Sequence, residues 1–165
     1  MMGEQVKLNV RPATQQDADA ACDVIRRSIT ECCVDDHGGD RSVLNAWLRN
    51  KTPAFMRGVI LTPGTFSFVA CVDGQTIGFA SALASGEVTL CYVAPPMRFT
   101  GVGKALLAAI EAHAHRTGID ALHLESTRTA RPFYLRNGFV AEGLPARAFG
   151  MEAQPMRKAC RPTRA

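Results

Sequence analysis

Arg98-Phe99-Thr100-Gly101-Val102-Gly103-Lys104 carries more chemistry than any other stretch of this sequence. Two glycines free the backbone to turn N–H groups toward a ligand, and Arg98 and Lys104 add two cations. A helix starting here would aim its positive dipole end at the same spot. The segment is an anion cradle of the kind that holds a phosphate or pyrophosphate. A Walker-type P-loop would need Ser or Thr after Lys104, where Ala105 stands, and a glycine where Arg98 stands. A Rossmann fingerprint would need a third glycine where Leu106 lies. Elsewhere, Glu31, Asp35, Asp36 and Asp40 form an acidic cluster. It reads either as a mouth that attracts a cationic molecule or as a solvated loop with one helix cap. Trp47 either lines that region or packs its own helix. Cys91 is either a nucleophile or a small packed strand residue, and no histidine lies near it in sequence to activate it.

The elements that must position these residues are legible in outline. Val6 to Arg11 alternates as a strand, and Thr14-Gln15-Gln16-Asp17 is a capping box. The helix behind it sets Ala18, Cys22, Ile25, Ile29 and Cys32 on one face and runs out near Val34. Asp40 caps a second helix bearing Val43, Leu44, Trp47 and Leu48, which Thr52-Pro53 is expected to end. Thr65–Val72 and Gln75–Ala84 are strands joined by an Asp73-Gly74 hairpin turn, and a third strand runs from Gly86 to Val93. After the cradle come a helix from about Gly101 to Thr117, a strand from Ala121 to Ser126 and a short helix from Thr129 to Arg136. Two last strands follow, Phe139–Glu142 and about Phe149–Met156. This order predicts one α/β domain around a mixed, mostly antiparallel, twisted sheet of six to seven strands flanked by four helices. The domain is expected to span residues 1–158, with 159–165 as a flexible basic tail.

Composition narrows the class. The chain has 165 residues, 47% of them hydrophobic and 21% charged, which suits one globular domain. The net charge of +4 comes without a dense basic block, so an anionic small molecule is expected rather than nucleic acid. The six cysteines and four histidines show no metal spacing, and no metal is expected. No apolar run approaches a membrane span and the N-terminus has no signal core, so a cytoplasmic protein with reduced thiols is expected.

Arg98-x-x-Gly101-x-Gly103, set between a strand and a long helix, resembles the coenzyme A pyrophosphate motif of the GNAT superfamily of N-acetyltransferases. The resemblance continues in Ala130-Arg-Pro-Phe133-Tyr134-Leu-Arg-Asn-Gly138-Phe139 and covers about Val6 to Lys158. It departs at Phe99, where many members carry glycine. It implies acetyl transfer from acetyl-CoA to a primary amine, small or on a protein, by direct attack in a ternary complex. A non-catalytic coenzyme A-binding module of the same fold is the alternative, and a homodimer is compatible with the family. Arg98, Phe99, Thr100, Gly101, Val102, Gly103 and Lys104 would then hold the pyrophosphate. Backbone groups around Cys91, Tyr92 and Val93 would pair with the pantetheine arm. Glu87, eleven positions before Arg98, resembles the general base of histone-type members, and Tyr134 the tyrosine that reaches the coenzyme A sulfur. Asp35, Asp36 and Trp47 are the candidates for acceptor binding. Such residues answer two proton problems. An amine of pKa ~10.4 is nucleophilic in about one molecule per thousand near neutrality, which costs about 4 kcal/mol of barrier. The departing thiolate, with a conjugate acid of pKa ~8.5, needs a proton.

Overall fold

The computed structural model describes residues 7–148 and 150–160. Val6 at the expected start of the first strand, Phe149 at the expected start of the last and residues 161–165 of the expected tail lie outside the described residues. Strand β1 (Leu8–Pro12) leads through a single 3-10 turn into α1 (Ala18–Cys32). At that turn the Asp17 carboxylate accepts the Thr14 N–H at 2.8 Å and holds Arg11 through two bonds of 2.8 and 2.9 Å. Ala18, Cys22, Ile25 and Ile29 are buried as their spacing requires.

The helical region is richer than the sequence reading. Past Cys33 a short α2 (Val34–His37) follows, then α3 (Arg41–Leu48), capped by Asp40 as expected. Thr52-Pro53 ends no helix; it opens α4 (Pro53–Leu61). The Thr52 hydroxyl accepts the Phe55 N–H at 3.1 Å, and a proline in the first turn loses no helical hydrogen bond.

Strands β2 (Thr65–Val72), β3 (Gln75–Leu83) and β4 (Val88–Val93) form a meander, with Asp73-Gly74 as the tight turn. They make a four-stranded antiparallel sheet in the order β1-β2-β3-β4. The chain continues through α5 (Val102–Arg116), β5 (Ala121–Ser126), α6 (Arg131–Arg136), β6 (Val140–Ala141), β7 (Ala146–Ala148) and β8 (Met151–Ala159). Instead of one continuous sheet, β5, β8 and β6 form a second antiparallel sheet with β7 attached to β8. Strand β8 outruns the expected end at Met156, pairing Arg157, Lys158 and Ala159 with His123, Leu122 and Ala121.

One parallel bridge, Glu87 to His123, joins the two sheets. Gly86 makes that junction: a Cβ there would lie 2.2 Å from the Ala121 carbonyl oxygen. The Gly86 carbonyl accepts the His123 N–H at 3.0 Å. Beyond the bridge, β4 and β5 diverge. Helix α5 covers one face of the first sheet with Val102, Leu106 and Ile110. Helices α1 and α4 cover the other with Ile25, Ile29 and Met56 against Val69 and Phe79. Each such buried aliphatic side chain contributes about 2 kcal/mol to folding, so the strands that flank the divergence are anchored from both sides.

Candidate functional site

The divergence of β4 from β5 opens a cleft of about 810 Å³, lined by β4 from Val88 to Val93, by Leu124, Glu125 and Thr127, by the cradle, and by α6. Strand β4 is hydrogen-bonded to β3 on one side only. Its other backbone edge faces the cleft, and edge N–H and C=O groups demand partners. An extended chain carrying amides fits that demand.

The cradle forms the outer end. Gly101, at φ 90°, caps α5, so the first turn of that helix opens onto the cleft. Gly103 is required by contact: a Cβ would meet the Phe133 ring at 2.9 Å. Glycine there lets α6 pack against the start of α5 and close the cleft wall. Arg98, Phe99, Gly101, Gly103 and Lys104 line the cleft, whereas Val102 turns inward to the α5 core and Thr100 bonds the Met97 carbonyl. Arg136 and Asn137, which the sequence reading passed over, line it too. The cleft lining therefore carries three cations, Arg98, Lys104 and Arg136.

The inner end is buried. Tyr134 is 7% exposed, wedged between Phe133 and Phe139 with ring centroids 5.2 and 5.4 Å away. Burial holds its pKa well above the usual tyrosine value. It stays a protonated donor across neutral pH. Burial likewise pushes the Cys91 thiol up to about 12 and the Cys33 thiol up to about 12. Neither is a thiolate at neutrality, which removes the condition for a cysteine nucleophile. Tyr92 points the other way, toward α1, and packs with Trp47 against the α1-side core.

Carboxylates divide differently from the expectation. Val88, Leu122 and Leu124 belong to the α5-side core. Alternation therefore turns Glu87, His123 and Glu125 to the opposite face, where Tyr92 also lies. Glu87 is exposed beside the bridge and lies outside the cleft lining. Glu125 lines the cleft and is the one carboxylate among its lining residues.

The acidic cluster is mostly consumed by the fold. Asp36, expected to meet the acceptor, accepts the Arg128 N–H at 2.7 Å, the Thr129 N–H at 3.4 Å and the Thr129 hydroxyl. It ties α2 to the β5–α6 loop. Asp40 bonds the Ser42 and Val43 N–H groups, and Glu31 pairs with Arg27 at 3.6 Å. Asp35 is exposed outside the cleft lining, and Trp47 is half-buried against the α1-side core. The partners of Asp36, Asp40 and Glu31 fit the solvated-loop reading with a helix cap.

A sequence model of the acetyltransferase (GNAT) domain matches residues 33–160. No curated protein matches the sequence. Among solved structures, a GCN5-related N-acetyltransferase from Rhodopseudomonas palustris superposes with a TM-score of 0.82 at 23% identity, over 94% of this chain and 98% of that one. The PaiA N-acetyltransferase from Thermoplasma acidophilum, solved in complex with coenzyme A, gives 0.79 at 20% identity, over 93% and 99%. An aminoglycoside 6'-N-acetyltransferase complexed with coenzyme A gives 0.70 at 14% identity, over 95% and 99%. The family match spans the cradle, the diverging strands and the Phe133-Tyr134 helix alike, and this chain belongs to the GNAT acetyltransferases.

Proposed function

We propose that the protein transfers an acetyl group from acetyl-CoA to a primary amine by direct attack in a ternary complex. The observation that carries this reading is the arrangement of one cleft: three cations in its lining, an unpaired strand edge along its wall and a buried phenol at its inner end. A pyrophosphate suits Arg98 and Lys104 with the first turn of α5. The amides of a pantetheine arm suit the free edge of β4 at Cys91–Val93. The thioester then lies beside Tyr134.

The amine nitrogen attacks the thioester carbon, and the C–S bond breaks as the C–N bond forms. Tyr134 gives its proton to the departing sulfur. Proton removal from the amine falls to Glu125, with Glu87 farther out on the same face as a relay toward solvent. Glu87, the base that the family resemblance implies, lies outside the cleft lining, and this favours Glu125. Covalent transfer through Cys91 is disfavoured by its raised pKa.

The acceptor reading also narrows. With Asp36, Asp40 and Glu31 engaged in the fold, one cleft carboxylate is left to meet the acceptor's charge. A singly charged amine, free or at a protein site, suits this better than a polyamine or an aminoglycoside such as its structural relative takes. A reducing compartment such as the cytoplasm suits six unpaired cysteines.

The test is thiol release from acetyl-CoA over a panel of monoamines, amino acids, peptides, polyamines and aminoglycosides. Turnover with singly charged amines and weak response to polycations is expected. A flat panel with tight coenzyme A binding would favour a binding module instead.

A further inference from the structure

We infer that the Phe99 side chain is a stacking platform for the purine ring of the donor, an aromatic subsite that extends the anion cradle. The inference rests on the coenzyme A reading above. Phe99 is one of two non-glycine residues with positive φ among those described, at 62°. The other, Asp73, sits in the β2–β3 hairpin turn, and aspartate tolerates this conformation through its short polar side chain. A phenylalanine has no such local compensation, and strained residues of this kind gather at ligand sites.

The conformation has a consequence. It lifts the ring out of the chain, 86% exposed, the largest exposure of any aromatic among the described hydrophobic residues. The Arg98 guanidinium lies 4.8 Å from the ring centroid, a cation–π contact. At this exposure most of the ring surface is free for a ligand.

Direction then selects the ligand. Tyr134 and Cys91 mark the inner end of the cleft, and Phe99 lines its outer end beside Gly101 and Lys104. A donor with its thioester at Tyr134 and its pyrophosphate in the cradle has one portion left outside, the adenine nucleoside. Its base is flat and aromatic, and stacking it on Phe99 completes a guanidinium–phenyl–purine sandwich. Base stacking on an aromatic side chain is strong enough to be read as a change in affinity of about tenfold or more.

The experiment compares two ligands by titration calorimetry: coenzyme A, and 4′-phosphopantetheine, which lacks the nucleoside. Phe99→Gly adopts the left-handed backbone without strain, so the variant keeps or gains thermal stability. We expect it to bind coenzyme A about tenfold more weakly while its affinity for 4′-phosphopantetheine stays the same. Phe99→Tyr keeps both affinities. Equal weakening for the two ligands would mean that the loop backbone, and not the ring, was disturbed, and would overturn the inference. So would unchanged or tighter coenzyme A binding by Phe99→Gly. If the wild-type protein binds no coenzyme A, the donor reading itself fails, an outcome distinct from these two.

Discussion

The half of the site proposed to hold the donor, the cleft at the cradle, and the half expected to meet the acceptor, α2 and α3, are built from opposite uses of charge. Around the cradle, Arg98, Lys104 and Arg136 line open space, and the packing residues Phe133 and Val102 are apolar. Around α2 and α3, the charges are turned to the fold: Asp36 secures a distant loop, Asp40 caps α3 and Glu31 pairs along its own helix. The two halves look equally charged in one dimension. Only the hydrogen-bond partners separate a binding charge from a structural one.

The largest expected effect lies in the donor half. Tyr134→Phe keeps the packing against Phe133 and Phe139 but removes the proposed proton donor. kcat should fall by about two orders of magnitude, while affinity for coenzyme A, read by calorimetry, holds. An equal loss in both would make Tyr134 a packing residue.

The next effect sharpens the boundary between the halves. Glu125→Gln should lower kcat/KM for the amine by about 10²-fold, and Glu87→Gln by a few-fold only, with full pH–rate profiles taken for each. The reverse ranking would return the base to the start of β4.

Asp36→Ala should act on stability. Losing three bonds to one carboxylate should cost about 2 kcal/mol in denaturant unfolding, with the acceptor KM little changed. A large rise in KM at full stability would make Asp36 a binding residue and erase the contrast drawn here.

The smallest effect belongs to Cys91→Ala. With a thiol whose pKa is raised to about 12, the wild-type side chain is protonated across the working range. kcat should change by less than about tenfold, and intact mass during turnover should show no acetylated enzyme. An acetyl adduct that disappears in Cys91→Ala would establish a covalent route.

How much of this was written in the sequence depended on range. The cradle was legible because its glycines, its cations and the start of the following helix fall within seven consecutive positions, Arg98 to Lys104. The β2–β3 turn was legible for the same reason, since Asp73-Gly74 declares its own geometry. Thr52-Pro53 misled because threonine and proline mark helix starts as readily as helix ends, and α4 depends on burying Met56 against α1. Glu125 gave no local signal. It is an ordinary exposed strand position until Gly86 lets β5 touch β4 once and then diverge, which places it in the cleft. The fate of Asp36 was equally hidden, because its partners Arg128 and Thr129 lie 92 and 93 residues away. Short-range chemistry pointed to the donor, and long-range packing decided which carboxylate lines the cleft.

The measurement that bears most directly on the central claim is the titration of coenzyme A into the wild-type protein and into the Arg98→Ala/Lys104→Ala double variant. Both side chains line open cleft, so the variant should remain folded, as thermal unfolding would verify. The account predicts saturable one-to-one binding by the wild type and a loss of at least about tenfold in the variant, since each charge-assisted contact is worth about 1.5–3 kcal/mol. Binding of equal strength by both proteins, or by neither, would contradict it.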